Sequence, residues 1–221
     1  VTQITTDGVK NKIINGMCDW VYEEEFSFTR AFYWSPDSKK IAFIRFDETK
    51  VPEFTMQLFK DGMYPENEVF KYPKVGEKNA DVSAWVYEMS KGKSSKVDLG
   101  EMSDMYIPRM KWTNDPSKLC VSKMNRHQNN LKLYIADTKS GKSSVMYDEN
   151  NKYYIDITDD LTFLNDGKHF IWSSEKEGYN QLYLMGMDGK QKLKLTPGAY
   201  EETDFYGVDE KNKAIYYQSA S

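Results

Sequence analysis

The residues of this sequence best able to do chemistry form one short run, Asp19 to Phe26, which reads DWVYEEEF. Three consecutive carboxylates, Glu23, Glu24 and Glu25, lie between large aromatic side chains. We expect burial of the aromatics to bring the acids into a partly desolvated place, where neighbouring carboxylates repel each other unless a cation lies between them. An ammonium group is such a cation, because two carboxylates can share its three N–H donors. The run therefore predicts a receptor for a primary amine.

The same acidic run is also compatible with a simpler structure. Charge runs are usually solvated faces, and spacing alone favours a short acidic helix turn in solvent for Glu23, Glu24 and Glu25. A second adjacent pair, Glu201 and Glu202, is not closely flanked by large aromatic residues on both sides. We interpret that second pair as structural.

Two glycine–lysine pairs resemble the end of a phosphate-binding loop but do not complete it. That motif requires a glycine five residues before Gly92 and Gly141, and those positions hold Tyr87 and Ala136. The two pairs are better explained as hairpin turns. No serine is flanked by glycines both two residues before and two residues after it, so the nucleophile elbow of an α/β-hydrolase is absent. We therefore predict no catalytic residue in this chain.

The soft metal ligands are few and far apart. Cys18 and Cys120 are separated by 102 residues, and His127 and His169 are the two histidines. This spacing gives too few ligands for a zinc site, and the sequence predicts no metal and no cofactor. A disulfide between the two cysteines would require an oxidising compartment, and their redox state stays open.

Composition excludes several classes of protein. The 221 residues are 39% apolar and 29% charged, which is sufficient to bury a sizeable core. The net charge is −4 and the chain has four arginines, whereas a nucleic-acid binder needs a basic stripe. No apolar run is long enough to span a bilayer or to form a signal segment. Because the chain starts at Val1 and ends in a strand-like run, we expect a piece excised from a longer protein.

Internal repeats indicate the elements that must position the acidic run. Three segments share an aromatic-rich strand, a polar turn that ends in Gly-Lys, and a second strand, and their turn glycines are 49 and 48 residues apart. A second series interleaves with the first, in which a turn, usually containing Asp, precedes an apolar strand. It begins at Trp34, Trp112, Phe163 and Val208. Each repeat therefore contains two hairpins, or four strands.

Four short strands in about 45 to 50 residues, without helical periodicity, are typical of a β-propeller blade. The sequence predicts an all-β fold with about four such four-stranded antiparallel blades, which is too few to close a ring. A generic antiparallel sandwich is the alternative, but sandwiches do not repeat at a fixed long period.

One interval in the second series is too long. Trp34 and Trp112 are 78 residues apart, whereas the next two intervals are 51 and 45 residues. The excess lies at about 47–80, where alternating apolar segments predict a two-stranded arm inserted into a blade. An apolar arm with no partner in its own blade needs burial by a neighbouring domain or by a second copy of the chain.

The acidic run, followed by Trp34-Ser-Pro, Val51-Pro and the segment KYPKVG at 71–76, resembles the β-propeller of the dipeptidyl peptidase IV family of serine peptidases, in the prolyl oligopeptidase clan. The resemblance extends over essentially the whole chain, so 1–221 would be part of that propeller. It implies an eight-bladed ring that caps an α/β-hydrolase domain absent from this chain. A short propeller helix in that family carries a double-glutamate motif that holds the free N-terminus of the substrate. The match places this motif at Glu24 and Glu25, with Glu23 as flanking support.

The resemblance also implies a function. The full-length parent would be a serine-type enzyme that releases N-terminal X-Pro or X-Ala dipeptides, because an amine anchor at a fixed distance from the nucleophile acts as a ruler. The fragment alone would be inactive, since the family's Ser, Asp and His and an arginine from an earlier blade lie outside it. The arm would belong to the extension that helps such enzymes form homodimers. Tyr153 and Tyr154 lie where the family has a cleft aromatic, but they do not fit its motif.

We expect an exported protein, periplasmic or extracellular, that binds peptides with a free N-terminus and binds no nucleic acid. A non-enzymatic propeller that serves as a protein-interaction scaffold is the alternative from another class. A sister peptidase that releases tripeptides or acylated residues is a further alternative. A Gly-x-Ser-x-Gly motif in the continuation of the gene would favour a peptidase over the scaffold.

Overall fold

The structure is a computed structural model that describes residues 2–220. The elements in the first part of the chain are β1 (Ile13–Asn15), α1 (Trp20–Phe26), β2 (Phe32–Trp34), β3 (Lys40–Asp47), β4 (Glu53–Leu58), β5 (Glu66–Lys71), β6 (Asp81–Glu88) and β7 (Lys93–Lys96). The middle part contains β8 (Met105–Tyr106), β9 (Met110–Trp112), β10 (Lys118–Asn125), β11 (Asn130–Asp137) and β12 (Ser143–Asn150). The last part contains β13 (Thr162–Phe163), β14 (His169–Ser174), β15 (Gln181–Gly186), β16 (Gln191–Lys194), β17 (Glu201–Asp209) and β18 (Ala214–Ala220).

The strands form successive antiparallel sheets in the order in which they follow along the chain. The first sheet contains β2, β3, β6 and β7, with β1 on the far end of β3. In the second sheet β8 and β9 pair with β10, which continues to β11 and β12, and the third sheet runs from β13 to β16. The hairpin β17–β18 follows, at the spacing of the next repeat. The predicted all-β fold with part of a propeller is confirmed, and the described sheets do not close into a ring.

The inserted arm is the hairpin β4–β5. It pairs from Glu53 with Lys71 to Leu58 with Glu66, and it forms a two-stranded sheet of its own. Its chain leaves after β3 and returns before β6, which pair with each other from Lys40 with Glu88 to Asp47 with Asp81. The two-stranded arm predicted from the long repeat interval is therefore present.

Neighbouring sheets are joined through their first strands and through a common apolar core. Trp112 Nε1 donates to Tyr33 O at 3.0 Å, which joins the second sheet to the first. Asn114 Nδ2 donates to Phe163 O at 3.2 Å, which joins the second sheet to the third. Large side chains that are fully buried fill the space between the sheets. They include Ile44, Phe46, Ile107, Leu119, Met124, Leu131, Leu133, Phe170 and Tyr183.

The repeated turn glycines lie at the contacts between sheets. Gly141 and Gly189 both have φ of +74°, a conformation that L-residues with a side chain adopt rarely. A Cβ at Gly141 would lie 2.6 Å from Lys96 O in the first sheet, and one at Gly189 would lie 2.2 Å from Met146 O in the second. The second and third glycines of the repeat therefore have a physical cause, because each of these two turns packs against the backbone of the preceding sheet.

Candidate functional site

The acidic run folds as the short helix α1, and its ends show why. Asp19 has extended backbone and its carboxylate accepts a hydrogen bond from Tyr22 N at 3.1 Å, which makes it the N-cap. Burial raises the pKa of Asp19 to about 6. Ser27 ends the helix in the left-handed region, with φ of 55°. A helix of seven residues is marginal alone, so tertiary contacts must hold it in place.

Two aromatic side chains of the run supply those contacts. Tyr22 and Phe26 are buried, and the Tyr22 ring makes edge contacts with Phe26, Phe46 and Tyr106 at centroid distances of 5.1, 4.8 and 5.8 Å. The Tyr22 hydroxyl accepts a hydrogen bond from Ile107 N at 2.8 Å. The helix is therefore fixed to both the first and the second sheet.

Other contacts hold the two ends of α1. The ring of Trp20, at the start of the helix, packs 4.1 Å from that of Tyr72, which directly follows the arm strand β5. At the other end, Arg109 Nη1 donates to Phe26 O at 2.9 Å, where a cation also suits the helix dipole. Arg109 Nε is paired with Asp159 at 2.7 Å. The helix is thus bounded by the arm on one side and by the loop before β13 on the other.

The three carboxylates of Glu23, Glu24 and Glu25 are exposed. The partial desolvation expected from the flanking aromatics is not observed, because the aromatics occupy the buried side of the helix and leave the acids in solvent. Glu25 Oε1 accepts a hydrogen bond from Gln128 Nε2 at 2.5 Å. One of the three acids is therefore held in place by a side chain from the turn between β10 and β11.

Sequence reasoning missed Gln128 as part of this site. Its only signal was its place in the polar turn that also carries His127, and 103 residues separate it from Glu25. The exposed Tyr154, by contrast, was noted in the sequence. Partial burial raises its pKa, and the charges of Asp156 and Glu25 contribute to the same shift. The next residue, Ile155, donates its N–H to Gln128 O at 2.8 Å, which places this segment beside the turn that holds Glu25.

The two cysteines are free. Cys18 Sγ donates to Phe28 O at 2.9 Å, and Cys120 is buried, where the apolar surroundings raise the pKa of its thiol to about 12. Across residues 2–220, no three His, Cys, Asp or Glu side chains are grouped in a way that could hold a metal ion. Within the same residues, no helix has the length and apolar character that crossing a membrane requires.

Comparison with known proteins agrees with this architecture. Residues 1–221 match the family model described as the dipeptidyl peptidase IV N-terminal region. The crystal structure of Porphyromonas gingivalis dipeptidyl peptidase 4 superposes with a TM-score of 0.93 at 40% identity, over 99% of this chain and 31% of that one. A putative dipeptidyl aminopeptidase IV from Bacteroides ovatus superposes with a TM-score of 0.87 at 26% identity, over 98% of this chain and 33% of that one.

Curated fungal proteins give the same result. A probable dipeptidyl peptidase 4 of Emericella nidulans is 30% identical over 99% of this chain and 31% of its own length. A probable dipeptidyl-aminopeptidase B of Fusarium vanettenii is 34% identical over the whole of this chain and 27% of its own length. The chain thus spans about a third of the length of these relatives or less.

Fold and site together define an N-terminal propeller segment that presents a short, rigidly held acidic helix. The chain belongs to the dipeptidyl peptidase IV family, as part of the N-terminal region of such a protein. The family predicted from the sequence is confirmed.

Proposed function

We propose that this chain is the substrate-binding segment of a serine-type dipeptidyl peptidase, in which Glu24 and Glu25 bind the ammonium group of the substrate N-terminus. Glu23 adds negative charge beside them. The observation that carries the proposal is the placement of adjacent, exposed carboxylates on a helix that is fixed to two sheets through Tyr22. An anchor must be rigid to act as a ruler, because the cleaved bond is selected by its distance from the anchored end.

The hydrogen bond from Gln128 supports the same role. It leaves Glu25 Oε2 free of this contact while restricting the rotamers of the carboxylate. An ammonium group can then donate to Glu24 and Glu25 together through charge-assisted bonds. Because less side-chain freedom remains to be lost when the amine binds, the anchor is partly preorganised.

The chemistry itself would be done by residues outside this chain. We propose that a serine, an aspartate and a histidine of a hydrolase domain cleave the peptide after an X-Pro or X-Ala pair, and that residues 1–221 alone are inactive. The printed names of the relatives, dipeptidyl peptidase 4 and dipeptidyl-aminopeptidase B, support release of dipeptides. Export of the protein stays a prediction.

We also propose that the arm β4–β5 contributes to a homodimer. Phe59, Met63 and Tyr64 at the tip of the arm are 80%, 95% and 84% exposed. Large apolar side chains grouped in this way are typical of an interaction surface. A second copy of the protein would bury them.

The experiment that tests the anchor uses the full-length protein and the variants Glu24→Gln and Glu25→Gln. Each variant keeps the size of the side chain and removes its charge. We expect kcat/KM for a chromogenic X-Pro substrate to fall roughly 10- to 150-fold, because one charge-assisted hydrogen bond contributes about 1.5–3 kcal/mol. A substrate with an acetylated N-terminus should be cleaved poorly by the wild type, since it carries no ammonium group.

Glu68→Gln is the matched control, since Glu68 is an exposed glutamate on the arm, away from α1. Its kcat/KM should equal that of the wild type. If both helix variants also retained full activity, the anchor assignment would be wrong. Absence of any peptidase activity in the folded full-length protein would instead favour the interaction-scaffold alternative.

A further inference from the structure

An acidic cavity of about 350 Å³ lies between the third sheet and the start of β17. Its wall contains carboxylates from the end of β12 and the segment that follows, from the turn after β14 and from β17, and no lysine, arginine or histidine among residues 2–220 lines it. The carboxylate residues are Glu149, Asp156, Asp160, Glu175, Glu201, Glu202 and Asp204. We refer to this space as the acidic cavity.

The carboxylates of the acidic cavity have no cation paired with them in the described part of the chain. The salt bridges of residues 2–220 involve none of its carboxylates. Two nearby lysines are engaged elsewhere. Lys176 Nζ donates to Gln191 Oε1 at 2.7 Å, and Lys111 Nζ donates to Leu161 O.

Glu202 is the residue that points to a ligand. It is 2% exposed, and its Oε2 accepts a hydrogen bond from Asn180 Nδ2 at 2.9 Å. Its Oε1 is buried without a hydrogen-bond partner in the described residues. Leaving a buried carboxylate oxygen unpaired is unfavourable, so a donor from outside would be strongly favoured.

The electrostatics of the acidic cavity agree with this geometry. Burial raises the pKa of Glu202 to about 7, and the charges of Asp160, Asp204 and Glu201 add to the effect. Burial likewise raises the pKa of Asp160 and of Glu175. Burial is the largest cause of all three shifts, and neighbouring carboxylates add to each of them, so a cation bound among these acids would stabilise their charged forms.

We propose that the acidic cavity binds a guanidinium or ammonium group, whose N–H donors pair with Glu202 Oε1 and the carboxylates beside it. The cavity does not present the grouping of ligands that a metal ion needs within residues 2–220, whereas a nitrogen cation with several donors suits dispersed carboxylates. A guanidinium suits a buried site better than an ammonium, since it is planar, carries five donors and is more weakly hydrated.

The position of the acidic cavity indicates where the cation comes from. Ile155 lines it, and Ile155 N donates to Gln128 O at 2.8 Å, while the side chain of Gln128 donates to Glu25 on α1, so the cavity lies close to α1. A lysine or arginine side chain of a bound peptide is therefore one source. The other is a basic side chain from a part of the protein outside this chain. The cavity itself does not depend on the proposed role of Glu24 and Glu25.

The test measures binding to the full-length protein by calorimetry and by the shift in Tm. The probe is N-acetyl-arginine amide, which has no free amine for α1, and N-acetyl-citrulline amide is its neutral isostere. The variant Glu202→Gln removes the charge while keeping an acceptor for Asn180, and Asp160→Asn is a second variant. Glu177→Gln is the matched control, because Glu177 lies in the β14–β15 turn, outside the cavity, paired with Lys194 at 2.8 Å.

If the cation comes from a peptide, the arginine probe raises Tm and the citrulline probe does not. Glu202→Gln and Asp160→Asn then lower the affinity for the arginine probe at least tenfold, and Glu177→Gln leaves that affinity unchanged. If the protein supplies its own cation, the probe does not bind and both cavity variants lower Tm without ligand. The proposal is overturned if the probe does not bind and Glu202→Gln leaves Tm unchanged or raises it, since removing one of several repelling charges stabilises an unoccupied acidic cavity.

Discussion

At the scale of single residues, the carboxylate of Glu25 depends on a side chain from a distant turn. Gln128 Nε2 donates to Glu25 Oε1, and Gln128 itself has a left-handed backbone with φ of 54°. We infer that Gln128 is a positioning residue, which acts on the substrate only through Glu25. Its contribution should therefore appear in the binding of substrates with a free amine.

Gln128→Ala in the full-length protein should lower kcat/KM for an X-Pro substrate roughly tenfold, mainly through a higher KM. The lost hydrogen bond to a carboxylate contributes about 1.5 kcal/mol, and a tenfold change corresponds to about 1.4 kcal/mol. Steady-state kinetics measures KM and kcat separately. A merely structural defect would not change KM selectively. His127 is the neighbouring residue in the same turn, and His127→Ala serves as the control. Its kcat/KM and KM should equal those of the wild type. A Gln128→Ala enzyme with unchanged KM would contradict the positioning role.

The sequence predicted the acids of this site but not the residues that surround them. The run Asp19 to Phe26 contains its own N-cap and its own buried aromatics, so local signals were sufficient to find it. Gln128 comes close only because the β10–β11 turn reaches α1 in the folded chain. The sequence predicts a structural role for Glu202 because aromatic residues do not flank it closely on both sides. Its burial and its unpaired oxygen depend on Asn180 and on the third sheet, so they become visible only in the fold.

At the scale of elements, the turn glycines between outer strands determine how closely one sheet approaches the next. Gly189 needs a positive φ and also lies against Met146 O, whereas Gly167 needs a positive φ of +65° but has no atom within 4 Å of its missing Cβ. Comparing substitutions at Gly189 and Gly167 therefore separates the cost of backbone strain from the cost of the contact between sheets. Both positions are turns between adjacent antiparallel strands.

Gly189→Ala should destabilise the full-length protein by about 1–3 kcal/mol more than Gly167→Ala. The left-handed backbone costs both variants about 1–2 kcal/mol, but only the first must also push a strand of the second sheet away. Urea denaturation of the two variants, followed by tryptophan fluorescence, gives the difference in the free energy of unfolding. Equal losses at the two positions would mean that the close approach at Gly189 is relieved without cost.

At the scale of the whole molecule, the sequence repeat predicted the fold because each blade contains the same turns at the same spacing. Trp34, Trp112 and Phe163 all precede inner-hairpin turns, and the 78-residue interval correctly placed the arm. The sequence could not show how the arm is held. Trp20 packs on Tyr72, and the rings of Phe54 and Phe70 pack on each other at 5.9 Å, so the base of the arm is packed while its tip is exposed.

The exposed tip of the arm leads to a prediction about assembly. A two-stranded hairpin is marginal alone, and exposed aromatic and methionine side chains at its end gain stability when a second copy covers them. The double variant Phe59→Lys, Met63→Lys should therefore convert a dimer of the full-length protein into a monomer, because like charges would face each other across the interface. Sedimentation velocity over a range of concentrations measures this. Leu193→Lys changes an exposed leucine on β16, away from the arm, and should leave the dimer intact. A wild-type protein that is monomeric at every concentration, or a double variant that remains dimeric, would show that the tip has another role.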